Sequence, residues 1–507
     1  MVVSRVVSNR PIGRSLYLYP SFGNECRFKC FADSLANVEC ALLERVFLHA
    51  KDGTFVPPSV PSQGTVDSVL QPIYNILASR AMTLTPITFK RFLDGYSGRR
   101  RIVYETAVKR VLLAGVRRQS SYLSTFLKHE KLPDTAKRVV PRVIQPRRPE
   151  YNASVGVYLR PLEHQLYRHI DSIFGRPTVM KGYNAYEIGG MLHSAWSEYT
   201  DPVGVGLDAS RFDQHVSLPL LQWEHSVYDL YYHCPILRKL LRWQLENRGF
   251  VRTCEGTVSY QVQGGRCSGD MNTALGNCLI MCSSVYCLLH KLSLVGKTGT
   301  RVSLFNNGDD CMLIGERADV LRVREHVVPF FEALGIVMKV EDTIDMFEKV
   351  SFCQTQPVYD GLNWRAVREP SASLTKDCTL VQRPPIGSDL KRVVHFKQML
   401  DSIGQCGLAL TNGIPVLQSY YRAMVRNGLK GGRPTEAFID SGFYRLSRGL
   451  TAQEDAVISP AARVSFYRAF GVVPDVQREM ERHYDEMNLS LTGRVQRGEV
   501  DRVSALK

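Results

Sequence analysis

The chain has 507 residues, 44% of them hydrophobic and 22% charged, and a formal net charge of +15. That length and composition exclude a disordered polypeptide or a small disulfide-stapled domain, and leave room for several subdomains around a sizeable core. The positive surplus points to a polyanionic partner, and thirteen cysteines without regular spacing point to free thiols in a reducing compartment.

Residues 1–60 carry no motif that can be placed, and they close on Pro57-Pro58 and Pro61, a loop signal. Met1–Pro20 lacks the continuous apolar segment of a secretory signal. Cys26, Cys30, Cys40 and His49 match no common zinc spacing. Residues 64–130 read mostly helical, with VYETAVKRVLLAGV placing apolar residues at three- and four-residue intervals. Between Lys90 and Arg148 stand sixteen Lys/Arg against four Asp/Glu, including the runs Arg99-Arg100-Arg101, Arg117-Arg118 and Arg147-Arg148. Three such runs in succession suit a track for phosphates better than a single solvated helix face. Arg138–Tyr151, RVVPRVIQPRRPEY, holds three prolines, so extended backbone with outward-fanned arginines is expected.

VGVGLDASRFD, around Gly204, reads as a strand, followed by a helical pattern over Leu220–Leu245. A strand at Thr257–Gln263, a glycine-rich turn and a helix over Asn272–Leu289 come next. The apolar run Cys278–Leu289 is too short to span a bilayer, and Cys278 and Cys282 read as core. Gly296-Lys297-Thr298 fails as a phosphate-binding loop, because Lys291 stands where that motif needs glycine. Arg301–Ile314 reads as a hairpin. Val320–Leu334 is an amphipathic helix with Val320, Val323, Val327, Phe330, Phe331 and Leu334 on one side; Gly335 ends it before the strand IVMKV. Beyond about residue 370 the chain turns largely helical, over Leu390–Asn427 and after Ala452. The alternation describes an α+β sheet domain.

Three constellations carry chemistry. FNNGDDCMLI sets Asp309 beside Asp310 at a turn tip, where the two repel unless water or a cation offsets them. Asp208 and Asp213 lie five apart at the end of an apolar strand. QGGRCSGDMNTALGN places Ser268-Gly269 after a flexible loop, then Thr273 and Asn277 four apart on one helix face. Such hydroxyl and amide groups suit a sugar and its 2′-hydroxyl; a capped helix start, with Ser268 as N-cap, is the plainer reading.

In this order the three elements resemble motifs A, B and C of a positive-strand viral RNA-dependent RNA polymerase. FLKHEK, PRVIQPRRPEYN, DASRFDQHV and ARVSFYRAFG resemble the tombusvirus-like group (Tombusviridae), including carmo-, diantho- and luteovirus replicases, over roughly residues 90–475. The resemblance implies an α+β right-hand polymerase of fingers, palm and thumb, with an antiparallel-sheet palm and a mainly helical thumb. It divides the chain into an N-terminal extension (1–60), fingers (61–200), palm (201–370, with a fingers insertion around 217–255) and thumb with tail (371–507).

It also implies replication of a positive-strand RNA genome by two-metal nucleotidyl transfer, with two Mg²⁺ ions, or Mn²⁺ as substitute, held by Asp208, Asp309 and Asp310. Lys339 is the implied general acid for the leaving pyrophosphate. Asp213, Ser268, Thr273 and Asn277 would read and position the incoming ribose. Arg142 is the first choice for the triphosphate, with Lys137, Arg138 and Arg147 behind it. FCQTQPV resembles the motif E hairpin.

The implied partners are RNA template and product, NTPs and a viral auxiliary replication protein. The implied place is the host cytoplasm, at membrane-associated replication complexes reached through a partner. A non-catalytic RNA-binding replicase subunit with a decayed palm is the alternative, opposed by intact Asp208, Asp309, Asp310, Ser268 and Asn277. A reverse transcriptase is opposed by the apparent equipment for ribose.

Overall fold

A computed structural model describes residues 1–5, 13–14, 16–18, 28–133, 139–381, 388–429, 442–488 and 497–498. In its centre, helix α1 (Pro149–Phe174) begins on a proline that presets the helical φ and ends at Gly175, left-handed at φ 77°. Then follow strand β1 (Pro202–Ala209), helix α2 (Leu218–Tyr232), helix α3 (Thr273–Lys291), strands β2 (Ser303–Asn307) and β3 (Asp310–Glu316), helix α4 (Arg317–Glu332) and strand β4 (Met338–Ile344). The four strands form one antiparallel sheet in the order β2-β3-β1-β4. Helix α4 lays Val320, Val323, Val327 and Phe331 onto it, each fully buried, and each removes apolar surface worth roughly 1.5–3 kcal/mol. Gly335, at φ 75°, turns the chain into β4.

Helix α3 is longer than the apolar run suggested. It has the length and hydropathy of a membrane-crossing helix, yet 83% of its most apolar window is buried inside the fold. It packs against α1, α2, α4 and β2, and a helix walled on every side is apolar all round.

The helix expected over Leu220–Leu245 is two helices. Pro235 supplies no amide hydrogen, so α2 stops at Tyr232, His233 turns left-handed at φ 45°, and a second helix starts at Pro235 and runs to Arg242.

A second sheet has the strand order Val2–Arg5, Gly256–Gln263, Glu246–Thr253, Leu123–Leu127, Val143–Ile144. The first residues of the chain therefore form an edge strand, Val2 opposite Ser259 and Arg5 opposite Gly256. The helix Leu35–Leu42 packs against this sheet and buries Val38, Ala41 and Leu42. Residues read as an extension are thus built into the fold, because their apolar face needs this sheet for burial.

After β4 comes the hairpin Thr355–Tyr359/Trp364–Arg368. The helices Asp389–Thr411, Leu417–Asn427, Pro460–Phe470 and Pro474–Glu486 then gather around a separate core that includes Leu400, Tyr420, Tyr421, Met424 and Phe466.

Candidate active site

The turn between β2 and β3 is a two-residue loop, Gly308-Asp309, closed by the pair Asn307/Asp310. Gly308 sits at φ 92°, which a side-chain-bearing residue rarely adopts and which primed hairpin turns demand. Buried Asn306 braces the loop: its amide donates to the Gly308 carbonyl (2.7 Å) and to the Cys311 thiol (3.1 Å), and its Oδ1 accepts from the Gly308 amide (3.2 Å). The sheet register then does the rest. Asp310 on β3 lies opposite Asp208 on β1, and Asp208 lies opposite Lys339 on β4. Lys339, Asp208 and Asp310 thus occupy one cross-strand row, with Asp309 at the adjoining tip.

The row is electrostatically crowded. Asp309 is exposed at its tip but walled by surrounding chain, and the lost hydration, with the charges of Asp310, Asp213 and Asp208, pushes its pKa up to about 6. Asp310 is raised as well, first by lost hydration and then by Asp208; the Cys353 thiol and the Lys181 ammonium oppose the shift. Lys181, which no sequence motif singled out, reaches the Asn307 carbonyl at 3.4 Å. Among the described residues no three His, Cys, Asp or Glu side chains form a ready-made metal cage. Asp208, Asp309 and Asp310 nonetheless fit as a donor set: hard carboxylate oxygens at one rim, with mutual repulsion that a divalent cation would offset.

Asp213 lies where the chain after β1 turns back. One of its oxygens accepts from the Ser268 hydroxyl and the other from Asn277 Nδ2 (3.0 Å), so the second and third constellations meet here. Ser268 is therefore not a helix cap; Asn272 holds that position, without a side-chain bond. Thr273 does not join them. Its hydroxyl donates to the Cys267 and Asp270 carbonyls at 3.2 and 3.0 Å, tying down the first turn of α3.

A cavity beside Asp213, Ser268 and Asp309 is lined by four arginines, Arg45, Arg142, Arg211 and Arg266. Arg142 is half-exposed and held by Glu130, its Nε donating at 3.0 and 3.1 Å. That bond is the chief reason its pKa is raised, and the charge of Asp309 adds to it. Arg45 is pulled down to about 10, first by burial and then by Arg211 and Arg142. Arg211 stands at φ 50°, strained for a side-chain-bearing residue, and donates to the Glu44 carbonyl. Sequence reasoning missed Arg45 and Arg211: LERVF has no signature, and Arg211 was hidden inside the DASRFD turn.

Arg147 is a correction. It was expected to face a triphosphate with its neighbours, but its side chain is 0% exposed. It bonds Asp270 (2.5 and 3.1 Å), the Ser121 carbonyl (2.7 Å) and Asn247 (2.7 Å), clamping the segment after Val143–Ile144 to the loop before α3. The arginines of this stretch do not all fan outward, because a guanidinium that finds a buried carboxylate with the right fork geometry turns in. Lys137 and Arg138 lie outside the described residues.

A family model described as viral RNA dependent RNA polymerase matches residues 2–492. Over 484 residues the chain is 42% identical to the RNA-directed RNA polymerase of melon necrotic spot virus, covering 94% of this chain and 59% of that protein. It is 40% identical over 490 residues to that of turnip crinkle virus, covering 95% and 61%. With tobacco necrosis virus strain A the identity is 37% over 486 residues, covering 94% and 64%. The chain thus spans about three fifths of the length of these relatives.

Proposed function

This chain belongs to the viral RNA-dependent RNA polymerase family, and from that premise we propose that it copies a positive-strand plant-virus RNA genome from NTPs. A right-hand polymerase fold goes with the family. In this reading the β1–β4 sheet is the palm, the second sheet and its helices the fingers, and the helical unit after the Thr355–Arg368 hairpin the thumb. The observation that carries the reading is the convergence of Asp208, Asp310 and Asp309 on one rim, facing Asp213, Asn277 and an arginine-lined cavity.

The triphosphate of the incoming nucleotide lies against Arg142, with Arg45 and Arg211 as further cations. The crowding that depresses the pKa of Arg45 is relieved by a polyanion. Its ribose 2′-hydroxyl donates to Asp213 and accepts from Asn277. Asp208, Asp309 and Asp310 would hold divalent cations, Mg²⁺ with Mn²⁺ as substitute, which would supply Lewis-acid activation of the primer 3′-hydroxyl and offset charge on the phosphates. The 3′-oxygen gives up its proton to solvent and forms a bond to the α-phosphorus as the α–β bridge breaks, and Lys339, at the far end of the cross-strand row, gives a proton to the departing pyrophosphate. RNA template and product, a viral auxiliary protein and cytoplasmic, membrane-associated complexes complete the proposal.

Synthesis on a defined RNA template, primed and unprimed, tests it. The expected result is NTP incorporation that falls at least about 1,000-fold on Asp309→Ala, the scale of losing a principal transition-state charge partner. RNA binding by intact protein without incorporation would overturn the catalytic reading in favour of a binding subunit.

A further inference from the structure

We infer that Arg266, held by Glu224, is a positioning residue that sets which end of the Asn277 amide meets the incoming nucleotide, and so governs rejection of 2′-deoxynucleotides. The inference rests on the reading that Asp213 and Asn277 contact the ribose.

An asparagine amide has an acceptor end and a donor end, and only its surroundings decide which faces where. Arg266 Nε donates to Asn277 Oδ1 at 3.0 Å, while Asn277 Nδ2 donates to Asp213 at 3.0 Å. Rotating the amide by half a turn would set its oxygen against the Asp213 carboxylate and its NH₂ against the guanidinium. Both contacts would then be like against like. Arg266 thus fixes the amide with its NH₂ toward Asp213, and the second amide hydrogen is the one a 2′-hydroxyl oxygen can accept from.

Arg266 is itself locked. Its other two nitrogens donate to the two oxygens of Glu224, Nη1 at 3.2 Å, and both side chains are 0% exposed. Glu224, on α2, also accepts from Tyr228 (2.7 Å) and from Asn272 at the start of α3 (2.8 Å). The buried carboxylate is therefore fully satisfied, and the plane of the guanidinium has no freedom to swing. Backbone shape agrees. At Gly276, next to Asn277, a Cβ would lie 2.2 Å from Arg266 Nη2 and 2.6 Å from each Glu224 oxygen, so only glycine lets the guanidinium rest against α3. A buried ion pair is a poor source of net stability compared with apolar side chains of equal volume. What this one supplies is a fixed amide next to Asp213.

The test compares kcat/KM for an NTP and its 2′-dNTP in primed synthesis, across wild type, Arg266→Lys, the paired Arg266→Met/Glu224→Leu and Asn277→Ala. Lysine keeps the charge but lacks the fork. Arg266→Lys should lower the NTP:dNTP ratio by about ten-fold, the worth of one hydrogen bond, chiefly through KM for the NTP. The paired variant leaves no unpaired buried charge, so it guards against simple misfolding, and its ratio should fall as far. Equal losses for both substrates, with the ratio intact in both Arg266 variants, would overturn the inference. If that happens while Asn277→Ala collapses the ratio, the ribose reading stands and only the Arg266 role falls. If Asn277→Ala also discriminates like wild type, the ribose reading falls and takes this inference with it.

Discussion

Arg142 and Arg147 are five residues apart on one extended segment and do opposite jobs. Arg142 stands half in solvent, bonded to Glu130 and within the field of Asp309. Arg147 is wholly enclosed on Asp270. The family resemblance implied phosphate contacts for both, because a guanidinium in sequence carries no sign of whether a carboxylate waits beneath it. Under the proposed function, Arg142→Ala should raise KM for the NTP about ten-fold or more, the cost of a charge-assisted bond, with little change in template affinity. Titrating NTP at saturating template measures the first, and RNA binding without nucleotide the second. The reverse pattern would move Arg142 from the nucleotide to the template.

Among the elements, the β2–β3 hairpin was legible almost entirely. Its apolar runs, its Gly-Asp turn and its paired aspartates are local properties, and Gly308 delivers the turn the sequence implied. The α2 helix was legible in kind but not in length, because Pro235 was outweighed by an otherwise continuous apolar pattern. The clamp between the Val143–Ile144 segment and the loop before α3 was not legible at all. It joins residues 123 positions apart through the Arg147–Asp270 pair. Removing one partner of such a pair strands the other charge in the interior, so Arg147→Ala should lower unfolding free energy by about 3–5 kcal/mol. Arg142→Ala, breaking a half-exposed pair, should cost under about 1 kcal/mol. Denaturant titration of the two variants distinguishes them, and comparable small losses would mean that the clamp is not structural.

Across the whole molecule, the arginine-lined cavity draws Arg45 from a helix-and-strand segment near the N-terminus, Arg142 from the second sheet, Arg211 from the turn after β1 and Asp309 from the central hairpin. Residues 1–60 looked blank because what their described part brings to the cavity, Arg45 and Val46, is placed by packing of the Leu35–Leu42 region on the second sheet. The overall charge of +15 belongs to this scale too. Single-stranded RNA affinity should fall at least about 100-fold between roughly 50 and 200 mM salt if several phosphates are neutralised at once. A flat profile in a filter-binding or anisotropy titration would contradict a phosphate track.

By itself the amino-acid order determined most strands and helices of the central unit and the turn that carries Asp309 and Asp310. Those are short-range matters of periodicity, turn chemistry and residue type. Tertiary structure decided how the cations are placed: Arg45, Arg211 and Arg266 line the cavity, Arg266 with its guanidinium locked on Glu224, and Arg147 is turned away onto Asp270. The physical reason is that a charged side chain settles according to the partner and the dielectric it finds, and both are supplied by chain far away in sequence.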